Sequence, residues 1–260
     1  MLTAAAYGLL ASSSFVIGVA IALVFSPPRR LIAAVLAFGS GVLVSALTFD
    51  LMEEATATGH LAYVVIGFLT GAAMYVIMSV LLDRLAARSP KRTGRQAGDV
   101  EPGSQHIPET SQESTINGTA LLLGAVLDGI PENIAIGIGL SHQGSGLGLV
   151  LLAAVFLGNL PESISSTAGM QAEGRSTRYI VLVWSAAALG CTLATVAGYT
   201  LLGGLSDNLV SAVLALAAGG ILAMLADTMM PEAFANGGPL VAMATAIGFA
   251  CAILLTQLTG

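Results

Sequence analysis

Charge is what this sequence has least of. Only 9% of its 260 residues are Asp, Glu, Lys or Arg, while 55% are hydrophobic and the mean hydropathy is +0.87. Ordinary soluble domains carry about 25% charged residues, so this composition excludes a water-covered surface and predicts an integral membrane protein. Basic residues are scarcer still, and a net charge of −6 speaks against nucleic acid or an anionic membrane surface as a partner. The two cysteines, Cys191 and Cys251, both fall inside apolar runs and say nothing of a disulfide framework. No nucleophile–base pair and no zinc-protease spacing is present, so an enzyme is not expected. The three histidines, His60, His106 and His142, all fall in predicted loops and leave the apolar core without imidazole.

What is abundant is apolar length and glycine, with 31 glycines of the kind that lets membrane helices approach closely. A bilayer core takes about 20 apolar residues as helix, and such stretches number about eight. They lie roughly at 4–25, 31–53, 61–82, 116–140, 146–170, 178–202, 207–231 and 238–258. The first, in the chain that opens "MLTAAAYGLLASSS", lacks the basic n-region of a signal peptide and is read as a span. The chain is thus one transmembrane domain over 1–260, with spans 1–3 at 4–82 and spans 4–8 at 116–258.

The 9 Lys and Arg residues orient it. They are Arg29, Arg30, Arg84, Arg88, Lys91, Arg92, Arg95, Arg175 and Arg178, and all fall after spans 1, 3 and 5. The positive-inside rule places those loops in the cytoplasm and both termini outside. The longest of them, 84–115, is rich in Pro, Gly, Ser and charge, reads as a solvated linker, and contains His106.

Two internal repeats stand out. "AVLDGIPENIAIGIG" in span 4 and "FLGNLPESISS" in span 5 share a Pro-Glu unit, Pro131–Glu132 and Pro161–Glu162. "GVLVSALTFDLMEEA" ending span 2 and "GILAMLADTMMPEA" ending span 7 match when Glu54 is aligned with Glu232, pairing Gly41 with Gly219, Leu47 with Leu225 and Met52 with Met230. The second pair runs in opposite directions, an arrangement common in transporters with midplane substrate sites.

Asp128 and Glu132 share one helix face, one turn apart, and Asn159 and Glu162 have similar spacing. An acidic side chain at the bilayer centre costs about 2.5–3.5 kcal/mol on the insertion scale. Asp128, Glu132 and Glu162 together would repel one another unless a cation or protons neutralise them. Pro131 and Pro161 also deprive the carbonyls of Leu127 and Leu157 of their helix partners, and carbonyl and carboxylate oxygens suit hard divalent cations. Further carboxylates mark a path: Asp50, Glu53 and Glu54 at the outer end of span 2, Asp227 and Glu232 near the inner end of span 7.

These motifs resemble the ZIP (Zrt/Irt-like) metal transporters, over nearly the whole chain. "DGIPEN" and "GNLPES" are similar to the family's Pro-Glu motifs in spans 4 and 5, and "DTMMPEA" to its span-7 signature. The resemblance implies an all-α bundle of eight spans in a three-plus-two-plus-three inverted-repeat arrangement. It also implies a mid-membrane metal site from Asp128, Glu132 and Glu162, with Asn159 and Cys191 as candidates for a second. Asp50, Glu54, Asp227 and Glu232 would line the route. The cargo would be zinc first, then iron(II) or manganese(II), with cadmium also a candidate substrate and no resident cofactor. The expected setting is the cell (inner) membrane, with the lipid bilayer and divalent metal ions as partners and a homodimer among the open assemblies. The chain departs from the family at Gly129 and Gly158, at Asn133 and Ser163, where the family has the glycines after each Pro-Glu, and in lacking core histidines. A non-transporting scaffold or metal sensor on the same fold is the alternative. A proton-coupled carrier of a small organic cation is a third reading.

Overall fold

A computed structural model describes residues 1–25, 27–88, 118–142, 145–202 and 204–259. Among them all regular structure is helical: α1 Leu2–Phe25, α2 Arg29–Ser45, α3 Glu53–Thr58, α4 Leu61–Arg88 and α5 Gly118–His142 come first. They are followed by α6 Ser145–Ala172, α7 Thr177–Ala197, α8 Asp207–Met224, α9 Met230–Gly237 and α10 Val241–Thr259. In lipid a helix satisfies its own backbone groups, so apolar sequence and helical structure go together here. Five helical stretches among the described residues are long and apolar enough to cross a membrane: Leu2–Phe25, Arg29–Thr58, Leu61–Leu81, Thr177–Leu202 and Asp207–Gln257. The protein is membrane-embedded.

The last stretch, of 51 residues, would reach about 75 Å as one straight helix, more than twice a bilayer core. It is broken at Gly238, whose φ of 69° is open to glycine and strained for other residues. The long linker is shorter than expected at its start. The α4 helix continues through Arg84 to Arg88, because "LLDRLAAR" contains no helix breaker. The rest of that loop, with His106, lies outside the described residues.

Helices α5 and α6 run on as helix through Pro131 and Pro161. They pack on each other at the centre, and both also pack on their flanks: α6 on α1, α5 on α7, with α1 against α7 closing the group. Outside it, α4 lies along α8 and α10 lies along α2, while α2 touches α6 and α8 touches α5 more lightly. The inner group is locked by an apolar cluster of Phe15, Met170, Ile180, Trp184 and Cys191. The Phe15 and Trp184 rings stand 5.0 Å apart at 40°, an ordinary tilted aromatic contact.

The two outer pairs share a backbone signature. A π-helical turn interrupts the α2–α3 arm at Ala46–Met52 and the α8–α9 arm at Leu225–Met229, within the segments whose sequences match. Each π turn inserts a residue and so re-aims the side chains beyond it. The glycines match too. Gly41 abuts the backbone of Thr245 and Phe249 on α10, and Gly219 abuts that of Phe68 and Ala72 on α4. In return Gly248 of α10 meets Phe38, and Gly71 of α4 meets Leu216. A third π turn, Gly198–Leu202, follows α7.

Candidate metal site

Glu162 follows Pro161 on α6 and is half-buried. It lines a cavity of about 60 Å³ together with Ser165, Tyr75, Thr228 and Glu232, enough for a few waters. Ser165 is one helical turn beyond Glu162, and its hydroxyl donates to Glu232 Oε1 at 2.6 Å. The hydroxyls of Tyr75 and Thr228 lie 3.2 Å apart, and Thr228 donates to the Met224 carbonyl at 2.8 Å. Leu36, Gly124 and Ala125 complete the cavity near the starts of α2 and α5. The cavity therefore occupies the half of the bundle to which Arg29, Arg30, Arg84 and Arg175 belong.

Glu132, on α5, has only 1% of its surface exposed. Its surroundings are a narrow cleft of about 10 Å³ lined by Leu43, Ala46, Leu47, Leu51 and Val155, barely the space of one water. These residues belong to the opposite half of the bundle. Asn159 of α6 is also 1% exposed, and neither its amide nitrogen nor its amide oxygen has a hydrogen-bond partner among the described residues. Leaving such a group unsatisfied costs about 1–3 kcal/mol, so it is a place for a ligand or ordered water. The side chain of Asp128 lies outside the described residues, as does that of His142.

The structure thus brings Glu162 and Glu232 to one cavity and sets Glu132 in a neighbouring cleft. Among the described residues no three His, Cys, Asp or Glu side chains are grouped closely enough to hold a metal. Cys191, fully buried, packs in the aromatic cluster, and its sulfur faces Gly129 at 3.0 Å from where a β-carbon there would stand. A β-carbon at Gly129 would sit tightly against the sulfur and the Phe15 ring, which would have to give by a few tenths of an ångström.

Asn133, in place of the expected glycine, is a tie between helices. Its amide donates to the Gly129 carbonyl at 2.8 Å and accepts from Thr195 of α7 at 2.9 Å. Ser163 likewise donates to Leu160 at 2.9 Å and to Ser14 of α1 at 3.3 Å. Asn133→Leu should lower the melting temperature of the purified protein by several degrees, because two buried bonds worth about 1 kcal/mol each are lost. An unchanged midpoint would show that the tie is idle.

Of the path residues, Asp50 lies in the α2–α3 π turn and is 5% exposed, and its Oδ2 has no partner among the described residues. Glu53 is exposed, while Glu54 is half-buried and accepts from Thr58 at 2.9 Å. Asp227 is exposed and accepts from Ser79 of α4 at 3.1 Å. His60 stays at the surface, its backbone N–H donating to Asn208 at 2.8 Å. Sequence reasoning missed Ser165, Thr228 and Tyr75. The spacing of Ser165 to Glu162 was a usable signal; the distant Tyr75 offered none.

No protein-family model matches the chain, and no curated protein matches it.

Proposed function

We propose that this chain is a carrier of divalent metal ions resembling the ZIP transporters, with zinc as first cargo and iron(II) or manganese(II) next. It would cross the cell (inner) membrane eight times in a three-plus-two-plus-three inverted arrangement, arginine loops in the cytoplasm and both termini outside. The observation that carries this reading is the pair of central Pro-Glu helices, with Glu162 lining a cavity and Glu132 a narrower cleft. Carboxylate oxygens on these two helices are donors that a hard divalent cation prefers.

In this reading Glu132, Glu162 and Asp128 exchange for waters of the ion, and Asn159 offers an amide oxygen. Oxygen donors suit manganese and can still bind zinc, whereas imidazole would favour zinc. The α1–α5–α6–α7 group packs within itself more tightly than against the outer pairs. Access would then alternate by movement of that four-helix group, a larger unit than the two Pro-Glu helices alone. In proteoliposomes, saturable uptake of Zn²⁺, Cd²⁺, Mn²⁺ or Fe²⁺ that disappears with Glu132→Ala is the expected result. Folded protein that moves none of these ions would turn the reading to a scaffold or metal sensor.

A further inference from the structure

The side-chain hydrogen bonds between helices sort into two bodies. Asn133–Thr195 and Ser163–Ser14 join members of the inner group, α1, α5, α6 and α7, to one another. Tyr75–Thr228, Ser79–Asp227 and the His60 amide on Asn208 join outer elements. They pin α4 and the turn before it to α8 and to the π turn that follows α8. The cavity lies on the boundary between the bodies. Glu162 and Ser165 of the inner group form one wall, and Tyr75, Thr228 and Glu232 of the outer elements form the other. Across it the Ser165 hydroxyl donates to Glu232 Oε1 at 2.6 Å.

Ser165 is satisfied in a different way from other hydroxyls of the bundle. Ser40, Thr70 and Thr192 each donate to the carbonyl four residues back in their own helix, the local bond that a helical hydroxyl makes most readily. For Ser165 that carbonyl belongs to Pro161, yet the hydroxyl reaches a carboxylate on another helix.

We infer that Ser165–Glu232 is a latch between the two bodies: it favours the arrangement described above, and the four-helix group must release it to move. A bond present in one arrangement alone biases the equilibrium by its own net strength. Bonds to charged groups are strong enough to shift such a ratio about tenfold or more. Release costs Ser165 little, because the Pro161 carbonyl stands in for its partner. Glu232 is half-buried beside a cavity with room for water, which replaces the lost donor. A latch of this kind holds without locking. The two-body movement rests on the carrier reading above; the latch is indifferent to which ion is carried.

The test is a distance between the bodies, read without metal. In full-length protein carrying Cys251→Ser, spin labels at Arg178→Cys on α7 and Arg84→Cys on α4 report one body each, both positions being exposed. Cys191 is buried and stays unlabelled. In proteoliposomes, pulsed electron paramagnetic resonance should show a main distance, and Ser165→Ala should raise the ratio of a second distance to it about tenfold. Ser165→Thr, which keeps a hydroxyl, should restore the parent ratio, and Glu232→Gln, a neutral acceptor, should fall between. Ser79→Ala and Ser163→Ala, which remove bonds inside the outer and inner bodies, should leave the ratio alone. A ratio that Ser165→Ala leaves unchanged in folded protein would overturn the latch, and so would equal shifts in all the alanine variants. A shift confined to Ser165→Ala in protein that moves no divalent metal would keep the latch and sink the metal reading alone. Metal flux with a ratio that Ser165→Ala leaves unmoved would do the reverse.

Discussion

Glu162→Gln should reduce saturable metal flux by about 100-fold or more, while Glu232→Gln should reduce it by about 10-fold or less. The two carboxylates line one cavity, so their difference must come from their partners. Glu162 sits in the Pro-Glu unit of α6, one helical turn beyond Asn159, whose amide has no partner among the described residues. Glu232 sits in α9 near the chain's break at Gly238, and one of its oxygens already accepts from Ser165. Removing even an outer partner of a metal ligand costs about 10- to 100-fold, so a direct ligand should cost at least the upper figure. Flux measured on both variants at matched protein content decides the order. Equal losses would place the binding site nearer the cavity mouth, and a normal Glu162→Gln would remove Glu162 from it.

The helical, membrane-embedded character was legible because it follows from an aggregate property, apolar length, which no single residue can overturn. The importance of spans 2 and 7 was legible only as a weak likeness between two segments. What makes that likeness structural is the pair of π turns, and an inserted residue of backbone leaves no mark that periodicity can detect in so uniformly apolar a run. Cys191 illustrates a second limit. The family resemblance offered it as a candidate ligand, and the structure places it in the cluster of Phe15 and Trp184 with its sulfur against Gly129. Helix rotation about its own axis is set by packing with neighbours, which the sequence of one helix does not contain. Asn133 and Ser163, the motif positions where glycine was expected, were readable as departures but not as ties. Their partners Thr195 and Ser14 lie in other helices.

Gly41→Leu and Gly219→Leu should each prevent the folded bundle from forming, with similar severity. A β-carbon at Gly41 would fall against the carbonyl of Thr245, and one at Gly219 against that of Phe68. Neither obstacle is a flexible side-chain tip; both are helix backbone, so a whole helix must retreat for the side chain to fit. Membrane helices gain little from hydrophobic burial against each other, and close backbone approach is one of the few attractions left to them. Overpacking alone costs about 1–3 kcal/mol in a core, and here the displaced helix also loses contact along its seam. The loss should appear as absent monodisperse protein in detergent extracts, and growth at lower temperature should recover Gly→Ala variants before Gly→Leu ones. The comparison between the two sites is the sharper test. The α2–α10 and α8–α4 seams carry the same contacts in the same order, so matched losses are expected. A bundle that tolerates Leu at one site and collapses at the other would show that the two outer pairs do not bear equal weight.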